Sequence, residues 1–357
     1  MCNNNSYELI KTLSNAFGPS GCEEQVTALI EKILEEKKIK VQATKDVLGN
    51  LIVKIKSNKP NAKKLMLSAH TDEVGFMVTE VCENGYLKIA TVGGISPEVV
   101  AGKHVTLLGK QGFCDGIISS KAIHHKSRED RLKPEKIKKL YVDIGAKDGD
   151  EAREICDVGY YLTFSPNCAR FGKDEKFISS KALDDRFGCA LLIELIEKLY
   201  DKEDSLPLDL YFCFTTREEV GVSGATVAAN AIRPDYAVVL ETTAVADIAG
   251  VDDASKVAKL GEGGAISLMD RSTIYDRDLV NLMLDVAKEN GIKAQVKKFV
   301  SGGNDAGSIH KSTTGVRTLA LSAPTRYLHS PNCVASLEDY ASMLELLYKF
   351  ILTEKLK

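Results

Sequence analysis

The spacing of apolar positions along the chain changes three times. The first 40 residues carry apolar positions at helical intervals: "YELIKTLSNAF" makes one stripe, and Val26, Leu29, Ile30, Ile33 and Leu34 make another within "PSGCEEQVTALIEKILEEKK". Ser20 and Glu23 stand ahead of the second stripe at capping-box spacing, which predicts that they close that helix's N-terminus. Strand-like segments follow in "LIVKIK" and "KLMLSAH". The turn signal "VLGN" introduces the first, and the second ends near His70.

From about Val74 to Phe171 no long amphipathic helix can be traced. Short segments such as "GFMVTEV", "YLKIATV", "HVTLLG", "FCDGIISS", "KLYVDIG" and "YYLTF" recur between Gly, Pro, Asn and Asp, the pattern of a small all-β domain. The basic cluster "HHKSREDRLKPEKIKK" in this region alternates with acidic residues and reads as a solvated loop. After Phe177 strands and helices alternate. A helix from about Asp184 precedes strand "LDLYFCFTT", a Gly/Ala-rich helix from about Gly224 and strand "DYAVVLE". Helix "YDRDLVNLMLDVAKEN", strands "AQVKKF" and "RTLALS" and a helix from Leu337 complete the series. Such alternation predicts an α/β fold: a mixed, largely parallel sheet flanked by helices. The expected organisation is a discontinuous α/β domain over residues 1–73 and 172–357, interrupted by an all-β insertion over 74–171.

A length of 357 residues agrees with two cores rather than one. With a net charge of -3 there is no basic excess, which argues against nucleic acid or an anionic membrane as partner. The N-terminal stretch lacks the pattern of a signal peptide, and no apolar run approaches the roughly 20 residues of a membrane span. A cytoplasmic location is expected. The nine cysteines are scattered, odd in number and without a C-x-x-C pair, so they suggest neither a disulfide framework nor a thiolate metal site. Cys213, inside "LYFCFTT", reads as a small core hydrophobe.

Ligands of open α/β sheets collect at the carboxyl ends of strands, and this chain places unusual polar residues there. His70 ends one strand and is followed by Asp72. Glu218 and Glu219 follow "LDLYFCFTTR", Glu241 ends "DYAVVL", and His329 follows "TLALSAPTRYL". Asp184 and Asp185 occupy a strand-to-helix junction, where an acidic residue is by default an N-cap. Each is ordinary alone, but their recurrence at five such places is not. Two histidines with several carboxylates and no cysteine suit divalent cations with nitrogen and oxygen ligands, zinc foremost. The carboxylates exceed the needs of one ion and would fill a pair bridged by an aspartate. One of the adjacent glutamates is then free to act as a base, and cation charge offsets their mutual repulsion.

The blocks "SAHTDEVGFMV", "KALDDRFGCA", "TTREEVGVSGA", "VVLETTAVAD" and "SGGNDAGSIHKSTTGVRTLALSAPTRYLHSPNCV" together resemble the M42 metallo-aminopeptidases, in order and over nearly the whole chain. These include the tetrahedral (TET), deblocking and glutamyl aminopeptidases. The resemblance implies two divalent ions, zinc or cobalt, in a dimetal exopeptidase-like domain. It assigns Asp184 as the bridge, His70 and Glu241 to one ion, and Glu219 and His329 to the other. It makes Glu218 the general base and Asp72 the partner that fixes the His70 tautomer, and it implies a cis peptide after Asp184. It further implies that the β insertion mediates dimerisation, that dimers assemble into a dodecamer, and that short peptides are the substrates. Two positions depart from the common pattern: Glu241 stands where Asp is frequent, and Asn304 where Thr is frequent. Asp305 reads as a structural residue holding the "SGGNDAG" turn near the cleft, with a substrate contact as the alternative.

Three rival readings differ in testable ways. A dimetal deacylase or amidohydrolase would use the same ligands on N-acylated amino acids. A glycosidase would use two carboxylates without metal, leaving both histidines unexplained. A catalytically silent assembly protein would lack the base or a ligand. A serine nucleophile finds no support, because "GVSGA" carries Ala225 where a nucleophile elbow needs its second glycine.

Overall fold

The computed structural model describes residues 4–129, 131 and 133–356. It contains an eleven-stranded mixed sheet with flanking helices and a separate closed barrel. Four parallel strands form the centre of the sheet, in the order Asp209–Thr215, Lys64–His70, Tyr236–Ala244 and Arg317–Arg326. Their apolar residues are nearly all buried, as strands covered on both faces require. Antiparallel strands extend both sides: Leu51–Ile55 and Gln42–Lys45 on one, Cys333–Ser336, Phe177–Ser180 and Ala169–Phe171 on the other. The parallel character expected from the α/β rhythm is thus concentrated in the four central strands. Gly264–Ile266 pairs antiparallel with Arg317–Arg326 and parallel with Ala294–Val296.

Register aligns the polar residues. Thr215 lies opposite His70, and Val239 lies opposite Ser68, so Glu241 and His70 are each two residues further along their strands. The helix Leu183–Leu199 packs against these central strands and is apolar nearly all round, with Phe187 edge-on to Tyr340 at 5.0 Å.

The barrel closes through Gly75–Val81, Leu87–Val92, Tyr141–Asp143, Gly112–Ile118, His104–Gly109 and Tyr161–Phe164. Its core is its own and centres on Phe76 and Phe164, whose rings meet edge-to-face at 5.4 Å. The helix Gly149–Ile155, capped by Asp148, packs Ala152 and Ile155 against this core without providing a long amphipathic face. The basic loop is exposed along most of its described length; Asp130 and Leu132 within it, like Cys2, lie outside the described residues. The other eight cysteines are unpaired, and Cys213 is buried as expected. No described helix is long and apolar enough to cross a membrane.

The capping box does not form. The helix Glu24–Glu36 begins without a side-chain cap, because Ser20 and Glu23 are bonded elsewhere.

Candidate active site

Asp184 lies at the centre of a cluster drawn from five separate segments of the chain. Its Oδ1 is 3.2 Å from His70 Nε2 and its Oδ2 is 3.2 Å from His329 Nε2, so one carboxylate faces two imidazoles. Glu241 Oε1 lies 3.5 Å from His70 Nε2, and Glu219 Oε1 lies 3.2 Å from His329 Nε2. Glu218 joins His70 and Glu219 in a group whose donor atoms fall within 4.8 Å of one another. All the residues singled out from the sequence therefore meet in one place.

Local backbone explains how they get there. His70 is the last residue of its strand, while Glu241 lies three residues before the end of Tyr236–Ala244 rather than at its tip. The first turn of Leu183–Leu199 is non-helical at Asp184 and Asp185, and the peptide between them is cis. The capping role expected of Asp184 falls instead to Asp185, whose Oδ1 accepts from Gly188 N at 3.0 Å. Ala182, Arg217, Val222, Tyr327 and His329 all have positive φ although none is glycine. Such conformations persist only where surrounding contacts enforce them.

The loop bearing the paired glutamates is held through its main chain. Thr216 N donates to Asn50 Oδ1 at 2.9 Å and Arg217 N to Glu23 Oε1 at 3.0 Å. Glu218 N and Glu219 N donate to the two oxygens of Asp72 at 3.0 and 3.1 Å. Ser20 Oγ completes this clamp by donating to Asp72 Oδ2 at 2.6 Å. Asp72 thus serves the glutamates as well as the imidazole: His70 Nδ1 is 3.1 Å from the Asp72 carbonyl and 3.4 Å from its carboxylate. Asp305 accepts from Thr215 Oγ1 at 2.6 Å and from Ser68 Oγ at 3.3 Å, tying its turn to two central strands. Behind His329, Gly94 of the barrel segment offers its carbonyl to Nδ1 at 2.7 Å.

The electrostatics suit cations. Burial pushes the Glu241 carboxyl up to about 8, reinforced by Asp184, and it raises Glu218, Glu219 and Asp185 as well. Burial opposes charge on His329, but Asp184 and Glu219 outweigh it and hold the imidazole up at about 12. His70 is raised likewise against its burial, by Glu241, Asp184 and Asp72. For Asp184, the two imidazoles overcome burial and hold the carboxyl well below its usual range. Each imidazole Nε2 faces two carboxylates, so a single N–H cannot serve both. Glu219 Oε1 and Asp185 Oδ2 are buried without a hydrogen bond. The set has more buried acceptors than donors, and nitrogen and oxygen ligands converge, so these residues fit divalent metal.

A cleft of about 340 Å³ opens from this cluster. Its lining includes Asp184, Glu218 and Glu241 together with Lys297, Gly303 and Asn304. The sequence drew notice to Asn304 and its glycine-rich turn but not to Lys297, nor to the clamping role of Asn50, Ser20 and Glu23.

The sheet with its flanking helices and the convergence of two histidines with several carboxylates, which could hold metal, are features of an α/β hydrolase site. The chain belongs to the M42 glutamyl aminopeptidase family, whose model matches residues 49–346. A lysyl aminopeptidase of Pyrococcus furiosus is 30% identical, over 95% of this chain and 95% of its own. The TET aminopeptidase of a marine-sediment Thaumarchaeota archaeon superimposes with a TM-score of 0.93 at 32% identity, covering 99% of this chain and 97% of that one. The TET1 peptidase of Pyrococcus horikoshii, which can assemble into a tetrahedron or a large octahedral shell, has a TM-score of 0.85 at 32% identity, covering 97% and 99%. The protein is an aminopeptidase of a metal-dependent family.

Proposed function

We propose that the enzyme holds two divalent cations, zinc or cobalt, and uses them to release the N-terminal residue of short peptides. The position of Asp184 between His70 and His329 carries this reading, since each carboxylate oxygen faces a different imidazole at 3.2 Å. Asp184 would bridge, His70 and Glu241 would hold one ion, and Glu219 and His329 the other. When bound, the ions supply Lewis-acid polarisation of the scissile carbonyl and acidify the attacking water.

Glu218 is the general base. It lines the cleft beside the ligands, with its carboxylate close to that of Glu219 and to the imidazole of His70. It accepts the proton of the attacking water and delivers it to the amine released as the peptide C–N bond breaks. Asp72 holds both its backbone and that of Glu219, keeping base and ligand in register.

We also read residues 74–171 as an inserted domain, within 1–73 and 172–357, that serves dimerisation. Assembly into a dodecamer is supported by likeness to the TET1 peptidase, which forms closed shells. The unpaired cysteines suit a reducing, cytoplasmic compartment.

The test is amino-acid release from short peptides with free or acetylated N-termini, using chelator-stripped protein with zinc or cobalt restored. Release should depend on metal and on a free N-terminus. Processing of acetylated peptides alone would favour the deacylase, and release from neither kind of peptide would point to a silent protein or to a different bond, such as the glycosidic one. Glu218→Gln should retain its metal stoichiometry while turnover falls roughly 10²–10⁴-fold. Turnover at the wild-type level would remove Glu218 from the role of base.

A further inference from the structure

The aminopeptidase reading leaves the basic loop unused. It spans residues 119–140, between Gly112–Ile118 and Tyr141–Asp143, which pair directly in the barrel. Two residues suffice to join adjacent antiparallel strands, and connections longer than about 15 are uncommon outside functional loops. The base of the loop is closed: Ser119 N donates to Tyr141 O at 2.7 Å, and Tyr141 N donates to Ser119 Oγ at 2.9 Å.

Its two arms enclose a cavity of about 430 Å³. Lys121, Lys126, Lys133, Lys136, Lys138 and Lys139 line it, with Pro134 and a single carboxylate, Glu135. Ile137 packs against the barrel core, while its neighbours Lys136 and Lys138 are exposed. Other lysines of the barrel are neutralised: Lys88 reaches Glu80 at 2.7 Å and Lys110 reaches Asp157 at 2.6 Å. None of the six has an ion pair among the described residues.

Ammonium groups gathered around one cavity repel one another, and a multiply charged anion between them removes that cost. Among the described residues the lining has no aromatic ring on which a base could stack and no arginine to fix a planar carboxylate. Lysine binds phosphate as a point charge, so this lining suits dense charge rather than a particular shape. The volume is that of a small-molecule site, not of a groove along an extended backbone.

We propose that this cavity is an anion site for a chain of linked phosphates, inorganic or carried by a nucleotide. It shares no lining residue with the peptidase cleft and stands independently of the aminopeptidase reading.

The test is calorimetric titration of sodium triphosphate, ATP and orthophosphate into the metal-loaded full chain at low salt. Triphosphate should bind at least about tenfold more tightly than orthophosphate and weaken as salt is raised. ATP should match triphosphate within about threefold, because nothing in the lining meets its base. Lys133→Glu combined with Lys136→Glu should weaken triphosphate at least about tenfold by like-charge repulsion, with peptide release and melting temperature unchanged. If that variant does not fold, Lys133→Gln with Lys136→Gln should still weaken it about threefold or more. Equal binding by the variant would place the anion at the metal cluster and overturn the site. So would no binding by the wild type, or orthophosphate held as tightly as triphosphate. ATP bound far more tightly than triphosphate would overturn recognition through phosphate alone. Loss of assembly in the variant, without triphosphate binding by the wild type, would give the lysines to a contact between copies instead.

Discussion

Between Gly75 and Phe164 the barrel buries one polar residue among those described, Thr163, whereas His70, Thr71, Asp72 and Glu73 are polar, consecutive and all buried at the end of a single sheet strand. Both regions have dense apolar cores, so the contrast is not one of folding quality. Burying a charge is costly unless it is paired, and the sheet meets this demand with a shared network. Lys181 reaches Glu73 at 2.6 Å, and Arg186, fully buried, donates to the carbonyls of Leu13, Ala16, Gly18 and Thr71. The barrel has no such network. Its link to the chemistry is the Gly93–Gly94 turn: Gly94 orients His329, and a Cβ on Gly93 would meet Glu219 Cβ at 3.3 Å. The candidate site residues belong to the sheet and its loops, and the barrel segment meets them at the Gly93–Gly94 turn and at Phe164, which lines a small cavity with Asp184, Glu219 and His329.

The largest expected effect strikes the sheet. Asp184→Asn removes one of the two anionic oxygens that face the imidazoles, so metal stoichiometry should fall and turnover should drop on the order of 10³-fold. Elemental analysis and peptide release check it together. Two tightly held ions in the variant would end the bridging assignment. The converse prediction strikes the barrel. Phe76→Ala should destabilise the protein by about 3–5 kcal/mol in denaturant melts, because it empties the centre of the second core. Below the transition its metal content should equal that of wild type. Metal loss without unfolding would mean that the barrel supports more of the site than the Gly94 contact.

What the sequence revealed follows the same division. The central strands were legible because strands covered on both faces leave apolar runs, and the candidate site because its histidines and carboxylates sit in ordered blocks along the chain. The edges were less legible: Gln42–Lys45 exposes all four residues and leaves no apolar signature. Glu241 looked terminal because polar threonines follow it, yet Thr242 and Thr243 continue the strand and are buried. Lys297 looked like part of a strand that in fact ends at Val296. Ser20 and Glu23 were misread for a different reason. A capping box is a local pattern, while the groups they bind, Asp72 and Arg217, lie 52 and 194 residues away from them.

That misreading supplies two smaller tests of whether the sheet's buried charge is tuned as a unit. Ser20→Ala removes the hydroxyl donor from Asp72 and should cost about 1.5–3 kcal/mol, the value of a hydrogen bond to a charged group. Turnover should fall with metal content retained, since the backbone of Glu218 and Glu219 rests on the same carboxylate. Unchanged stability and turnover would show that Asp72 is held well enough by its other donors.

Glu23→Gln should have the smallest effect and the opposite sign. Burial, with a further push from Asp72, raises the Glu23 carboxyl to about 7, although the N–H groups of Gly21 and Arg217 favour its charge. Its folded pKa therefore lies above its unfolded value near 4.3. The stability it contributes is complete below that unfolded value and is lost as pH rises through about 7. Glutamine keeps an oxygen for Gly21 N and Arg217 N, at 2.8 and 3.0 Å in the wild type, without carrying the charge. The variant should match wild type near pH 4 and exceed it at pH 8 by on the order of 1 kcal/mol or more, in denaturant melts of metal-free protein. If wild type is instead the more stable at pH 8, the ionised carboxylate is worth more to the Arg217 turn than its burial costs. The clamp would then depend on charge, as the metal cluster does, and not on acceptor geometry alone.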